Sequence, residues 1–263
     1  MAVVSRITIY PVKSCDGIDC TEVDILSTGA IRFDRRFALV DSSGKFINAK
    51  RFARIHQLQL QVDPVRREYR ACRRGESTPV SGRMDYDGKQ LSDWLSDFFA
   101  QDVSIIENEE HGFPDDLDSP GPTIVSLATL QVVASWFPEL TVDDIRRRFR
   151  ANIEVDGVEA FWEDRLYRED KQPASFTIGR VLFAGINPCQ RCAVPTRDAL
   201  SGDVTPSGFA QLFSRMREQT LPAWAARNRF DHFYRLTTNT RRLDQGAAQI
   251  QVGDPVEIMN HQL

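Results

Sequence analysis

Cysteine and histidine are scarce in this 263-residue chain, at five and four residues. Five is an odd number in a chain large enough to fold on its apolar core, which argues against a disulfide framework and for a reducing cytoplasm. A cysteine with a special task then works as a thiolate. No apolar run approaches the roughly 18 residues that a membrane span needs, so membrane insertion is not expected. Met1 to Tyr10 lacks the charged, apolar and small-residue segments of a secretory signal and reads as a strand. His56, His111, His232 and His261 show no pairing with a Ser or Cys that suggests a hydrolase triad, and each reads as a surface or loop histidine. Gly-x-Gly-x-x-Gly and P-loop patterns are missing too, which disfavours nucleotide-driven chemistry.

Hydrophobic residues make up 41% of the chain, with sixteen Phe and four Trp, enough for a sizeable core in one large domain or two closely packed ones. The net charge of −4 is unevenly spread. Arg146, Arg147, Arg148 and Arg150 cluster, while acids crowd Asp115 to Asp118. This is no global nucleic-acid footprint, but a local arginine cluster can hold a small anion such as phosphate through charge-assisted hydrogen bonds. Arg146 to Arg148 read as a solvated helix face, and Arg150, just past the helix, as a ligand contact.

Strand signals open the chain at Arg6–Tyr10, Arg36–Val40 and the strictly alternating Leu58–Val62, and antiparallel sheet with a meander or barrel-like start is expected from them. Asp41 to Lys45 has the chemistry of a hairpin loop. Leu91, Trp94, Leu95, Phe98 and Phe99 fall on one side of a helix over Lys89–Ala100, and a strand follows near Val103–Ile106. The Pro- and Asp-rich stretch from Glu107 to Pro122 reads as a boundary or active-site loop, dividing a domain of about residues 1–110 from one of about 111–263. Ser126 and Thr141 are placed to cap two helices, to about Phe137 and Phe149. Asn152–Val155 returns to strand, Ser175–Phe183 predicts a hairpin about Gly179-Arg180, and Ser207–Arg217 predicts an amphipathic helix. Ala248–Met259 reads as two short strands around Gly253-Asp-Pro255. The fold class is mainly β with a few helices, α+β.

The most distinctive chemistry is Cys189-Gln-Arg-Cys192, preceded by Asn187-Pro188. A single C-x-x-C leaves open a redox dithiol, half a zinc site or two ordinary buried cysteines. Zinc needs two further ligands, and only the distant Cys15 and Cys20 are available. A thioredoxin-like site belongs to a parallel α/β setting, whereas this sequence is hairpin-rich.

Other segments keep that motif company. Tyr10-Pro-Val-Lys-Ser-Cys15 and Arg35-Arg-Phe-Ala-Leu-Val40 resemble the N-terminal β-domain of MOSC (molybdenum cofactor sulfurase C-terminal) proteins. Arg148-Phe-Arg-Ala-Asn-Ile153, Cys189-Gln-Arg-Cys192 and Val252-Gly-Asp-Pro-Val256 resemble the MOSC domain itself, in order and spacing. The resemblance spans nearly the whole chain and is nearest to bacterial YcbX-like proteins and the mitochondrial amidoxime-reducing component.

The resemblance implies a β-domain followed by a β-barrel-like MOSC domain, with the active site in the cleft between them. It implies a molybdenum-pyranopterin (molybdopterin) cofactor whose metal takes the thiolate of Cys192, with Cys189 in a supporting or undefined role. Lys13, Ser14 and Arg36 fall on positions that contact pterin and phosphate, and Arg150 and Asn152 match a second cofactor-binding pair. Ala151 stands where the family has proline. Ser119 lies where relatives have an Asp-Thr-Ser run, from which Pro120 departs. Gln190 and Arg191 flank the ligand as hydrogen-bond donors, and Thr196 and Asp198 either support that loop or simply form turns. The implied activity is reduction of N-hydroxylated compounds, amidoximes and hydroxylamines, by oxygen removal. The chain ends at Leu263 without a plant-type ferredoxin module, so electrons are expected from a separate ferredoxin-, flavodoxin- or cytochrome b5-like protein and its reductase. A cofactor- or sulfur-handling module without reductase activity, and a zinc-stabilised binding protein, are the alternatives. No nucleic-acid or membrane partner is expected.

Overall fold

The computed structural model describes residues 1–170 and 172–259, so His261 lies outside the described residues. In chain order the first strands are β1 (Val3–Ile9), β2 (Ile18–Cys20), β3 (Glu22–Ile25), β4 (Phe37–Asp41), β5 (Leu58–Asp63), β6 (Glu68–Arg73) and β7 (Val80–Arg83). Helix α1 (Met84–Phe99) and strand β8 (Val103–Glu107) follow. Beyond an irregular stretch come β9 (Ile124–Ser126), α2 (Leu127–Ser135), α3 (Val142–Phe149), β10 (Ile153–Asp156), β11 (Ala174–Ile178) and β12 (Val181–Gln190). The chain closes with α4 (Phe209–Gln219), β13 (Arg235–Arg242), β14 (Ala248–Gln251) and β15 (Val256–Ile258). The fold is the expected β-rich α+β class.

Local chemistry explains several of these elements. β5 alternates buried Leu58, Leu60 and Val62 with more exposed residues, as a half-covered strand should. α1 buries Leu91, Leu95, Phe98 and Phe99 and starts at Met84, earlier than the apolar spacing suggests, with Asp85 and Asp87 in its first turn where the helix dipole favours acids. Ser126 Oγ accepts the Thr129 N–H at 3.1 Å to start α2, and Thr141 and Asp144 cap α3 reciprocally. α3 stops where Arg150 adopts a left-handed φ of 55°, which turns the chain into β10.

The three early strand segments do not share one sheet. β1 belongs to an eight-stranded sheet ordered β15-β11-β12-β13-β9-β10-β1-β2, β4 pairs with β8, and β5, β6 and β7 form a meander. The physical reason lies in burial: β1 ends in a run of covered residues, Ile7 to Ile9, and needs packing on both faces, while β5 needs it on one. β9 and β10 pair in parallel, their crossover supplied by α2 and α3. The two closing strands form as read, but in different sheets, β14 against β3 and β15 against β11.

The large sheet curls. Val3 in β1 makes an isolated antiparallel bridge to Pro255, and the Val4 N–H donates to Asp254 O at 2.9 Å, just before the strand at the opposite edge. The sheet is therefore barrel-like, with that bridge in place of a closing ladder. Ile7, Ile153, Phe176 and Phe183 fill its core, Phe37, Leu39, Leu60, Leu91 and Leu95 fill a second beside α1, and Phe137, Phe149, Phe209 and Phe213 a third among α2 to α4. Gly185 lets β12 pass directly under the 3-10 turn Trp162–Leu166, because a Cβ there would lie 1.7 Å from Leu166 O. That packing fixes the strand which leads to Cys189. Among the described residues no helix is long and apolar enough to cross a membrane.

Candidate functional site

A cavity of about 600 Å³ opens where three chain stretches converge: Tyr10 to Gly17 after β1, Arg146 to Asn152 at the end of α3, and Cys189 to Cys192 at the end of β12. Lysine and arginine outnumber aspartate along its wall.

The wall built from the N-terminal half pairs Lys13, Arg35 and Arg74 with carboxylates. Lys13 Nζ donates to Phe113 O at 2.8 Å and to Asp115 Oδ1 at 2.6 Å. Burial lowers the Lys13 ammonium below the ordinary lysine value, and Asp115 opposes that. Partial desolvation at the cavity mouth works to raise the Asp115 carboxyl in turn, but the Lys13 charge and hydrogen bond outweigh it and hold Asp115 at about 2. Arg35 pairs with Asp34, whose Oδ1 also accepts the Tyr10 N–H at 2.8 Å, and Arg74 pairs with Asp16 at 2.7 Å. Ser14 sits between them with a left-handed φ of 68°. Cys15 is buried behind it, its thiol pushed up to about 12 chiefly by burial, which marks an inert thiol.

The opposite wall leaves three of its arginines without a carboxylate partner. Arg148 Nε and Nη2, Arg150 Nη2 and Arg191 Nε are all buried with no hydrogen-bond partner. What contacts these three make are with carbonyls, a sulfur and ring faces. Arg148 Nη1 donates to Pro195 O at 2.9 Å, and Arg191 donates to Phe149 O at 2.7 Å and to Cys189 Sγ at 3.2 Å. The Arg150 guanidinium lies 4.0 Å from the centroid of the Tyr10 ring, whose hydroxyl donates to Ala151 O at 3.3 Å. Burial draws Arg148 and Arg150 below the usual guanidinium range, though a guanidinium stays charged at neutral pH. An unpartnered buried donor costs about 1–3 kcal/mol, more when charged. Several of them around one cavity amount to a standing demand for an anion.

Cys192 is half-buried beside this wall, and its Sγ accepts the Val194 N–H at 3.5 Å. Cys189 and Cys192 both line the cavity, and all five cysteines are free. Ser119 lines it as well, buried, with an unpartnered Oγ. Asn152 contributes to the wall, but its Oδ1 accepts from Thr123 N and Oγ1 while its Nδ2 donates to Thr8 O at 3.1 Å, so its amide ties β9, β10 and β1 together.

Two expected contacts lie elsewhere. Arg36 points away from the cavity to pair with Glu107 at 2.5 Å and with Glu109, and Arg35 lines the wall instead. Adjacent residues entering a strand face opposite ways, so only one of the pair can. Gln190 is exposed at the end of β12. The solvated face expected of Arg146 to Arg148 is also corrected. Arg147 is exposed, Arg146 pairs with Glu154 and Asp143, and Arg148 is 2% exposed because it shares the inner side of α3 with Ile145 and Phe149. Thr196 and Asp198 are turn formers, Thr196 Oγ1 donating to Ala193 O at 2.7 Å and Asp198 accepting the Ser201 N–H at 2.7 Å.

Sequence reasoning passed over Tyr10, Arg35, His56 and His111, all on the cavity wall. Tyr10 carried a signal, as the first residue of the Tyr-Pro-Val-Lys run. His56 carried none. Among the described residues no group of three or more His, Cys, Asp or Glu could hold a metal.

Two half-buried thiols, Cys189 and Cys192, thus share a cavity with buried guanidinium nitrogens that have no partner. The models of the MOSC N-terminal beta barrel domain and the MOSC domain match residues 1–102 and 123–257, and the chain belongs to this family. Its relatives include the molybdenum cofactor sulfurase of Homo sapiens, 24% identical over 82% of this chain and 29% of that protein. That of Drosophila melanogaster is 25% identical over 95% of this chain and 34% of that protein. The chain thus spans about a third of the length of these curated relatives. Among solved structures, the YuaD protein from Bacillus subtilis aligns over 100% of this chain and 98% of its own, with 13% identity and a TM-score of 0.43.

Proposed function

We propose that this chain binds a molybdenum-pyranopterin cofactor through Cys192 and reduces N-hydroxylated compounds, amidoximes and hydroxylamines, by oxygen removal. One observation carries the binding half of this reading: the buried, unpartnered nitrogens of Arg148, Arg150 and Arg191 beside a half-buried thiol. A phosphate monoester supplies the oxygens that those forked donors lack. Lys13, Ser14 and Ser119 offer the donors and hydroxyls that a polar pterin edge takes up, and the cofactor's own sulfurs make up for the absent ligand cluster. The residues present therefore fit the group.

When bound, the cofactor supplies the two-electron oxygen-transfer chemistry that side chains cannot perform. In the overall reaction the substrate N–O bond breaks, two electrons and two protons enter, and the oxygen leaves as water. The electrons are assigned to a separate ferredoxin-, flavodoxin- or cytochrome b5-like protein with its reductase. This chain's residues bind and orient. Arg191 braces the Cys192 loop by spanning Phe149 O and Cys189 Sγ, and Arg148 holds the following turn through Pro195 O. The Tyr10 ring face supports Arg150. The five free thiols suit a reducing compartment, and the cytoplasm is the proposed location.

Protein purified from a host that makes the cofactor is expected to carry molybdenum at parity with extractable pterin. Loaded protein with a reconstituted donor chain should reduce benzamidoxime, and Cys192→Ser should lower molybdenum to background. Zinc at parity without pterin, or full molybdenum retention in Cys192→Ser, overturns the reading. The relatives' name favours a second reading, a sulfur-handling module in which Cys192 carries a persulfide. Cyanide-labile sulfur on Cys192, in protein that binds pterin but leaves benzamidoxime untouched, would select it.

A further inference from the structure

The three carboxylates that hold the cations of the N-terminal wall differ in how far they stand in solvent. The Asp34 side chain is 11% exposed and that of Asp16 40%, whereas Asp115, on the buried Lys13, is 66% exposed. Asp115 also belongs to a segment with little else to hold it. On one side of residues 114–120 the Phe113 N–H donates to Arg35 O at 2.8 Å, and on the other the Gly121 N–H donates to Thr240 O at 3.0 Å. Between these anchors, among the described residues, the only hydrogen bond to another part of the chain is the one that Asp115 Oδ1 accepts from Lys13 Nζ at 2.6 Å. The Asp118 N–H is used within the segment, donating to Asp116 Oδ1 at 3.0 Å. Pro114 and Pro120, at the two ends, have no N–H to give. Pro114, Asp115, Asp116, Ser119 and Pro120 all line the cavity, so the segment is a strap on its wall with a single tie.

The tie is of a kind that an anion can replace. An ammonium has three hydrogens to donate, and Phe113 O and Asp115 take two of them. Because Asp115 lines the cavity and stands mostly in solvent, the place that its carboxylate fills against Lys13 is reached from the cavity mouth. A phosphate there carries more charge than a carboxylate and meets Asp115 and Asp116 as like charges on the same wall. It would take the ammonium and repel the strap together. An ion pair with one partner this exposed is weak enough to exchange.

We propose that residues 114–120 form a strap latched by Asp115 onto Lys13, and that an oxyanion entering the cavity competes with Asp115 for the ammonium and frees the strap. That an oxyanion enters rests on the cofactor-binding reading above. The latch makes the carboxylate of this chain an internal competitor of its own ligand.

The test uses the full chain purified without cofactor, with inorganic phosphate as the probe. Asp115→Ala should tighten phosphate binding in calorimetry by about fivefold, the reach of one exposed ion pair. Asp116→Ala removes the same charge from the same wall without touching Lys13 and should tighten it by less than about twofold. In a Lys13→Met background the gain from Asp115→Ala should vanish. Backbone ¹⁵N order parameters over residues 115–118 are expected to fall toward the flexible range, below about 0.6, when phosphate saturates the wild-type chain, and to be low in Asp115→Ala from the start. No gain in Asp115→Ala, equal gains in the two aspartate variants, a strap whose order rises or stays constant as phosphate binds, or phosphate that binds neither protein overturns the proposal. Molybdenum and pterin in protein from a cofactor-producing host, with no gain in Asp115→Ala, sink the strap alone. The expected gain and loosening, in a chain that acquires no pterin in that host, leave the strap standing and sink the cofactor reading.

Discussion

The two walls of the cleft use the same residue types in opposite ways. On the N-terminal wall Lys13, Arg35 and Arg74 each have a carboxylate, in Asp115, Asp34 and Asp16. On the other, Arg148, Arg150 and Arg191 leave guanidinium nitrogens buried and unpartnered. A paired cation has spent its charge on the fold and serves to position chain segments. An unpaired one keeps its charge for a ligand, at a cost in stability. The difference teaches that arginine count says little about an anion site, whereas the location of the counter-charges says a great deal.

The largest expected effect tests that difference directly. Arg150→Met should weaken inorganic phosphate binding, measured by calorimetry on the cofactor-free chain, by roughly ten- to a hundredfold, since hydrogen bonds to charged groups contribute about 1.5–3 kcal/mol. Arg74→Met on the paired wall should weaken it far less. Equal losses at the two positions would erase the distinction between the walls.

Stability sharpens the comparison from the other side. Removing the buried Arg148 charge with Arg148→Met should raise the melting temperature of the cofactor-free chain by about 2–4 °C for each kcal/mol relieved. A fall would mean that the bond to Pro195 O contributes more than the burial of the charge costs.

A smaller effect is expected on the paired wall, where Asp115→Asn should cost about 1 kcal/mol in a urea melt, modest because the Asp115 side chain is 66% exposed and screened. The same contribution has a pH signature. The Asp115 carboxyl is depressed to about 2, so its stabilisation is full above the unfolded carboxyl value near 4 and is lost as pH falls toward 2. Asp115→Asn should flatten that part of the wild-type acid profile, and an unchanged profile would remove Asp115 as the partner that matters. Arg36→Met, finally, should leave phosphate affinity unaltered, because Glu107 and Glu109 already hold that guanidinium away from the cavity.

Much of the local structure was legible in the sequence because it is encoded within a few residues. The caps at Ser126 and Thr141, the alternation of β5 and the hairpin at Gly179-Arg180 all depend on near neighbours. β13 was not legible. It buries Thr237, Thr238, Thr240 and Arg242 in the large sheet, so no apolar pattern betrays it, and two of its hydroxyls bond to backbone carbonyls, Thr238 to Glu163 O at 2.7 Å and Thr240 to Pro122 O at 2.7 Å. Arg148 was misread for a related reason, since a charged residue signals solvent until its helix is seen to turn it inward.

The sequence by itself determined the β-rich class, the family and the motifs around Lys13, Arg150 and Cys192, because each is a short string of residue types whose spacing survives without coordinates. Only the tertiary structure decided which charges remain free. Arg35 rather than Arg36 on the wall and Arg148 buried without a carboxylate both follow from contacts between residues far apart in the chain. Whether a charge is available depends on every neighbour that might satisfy it, and those neighbours come from elsewhere in the fold.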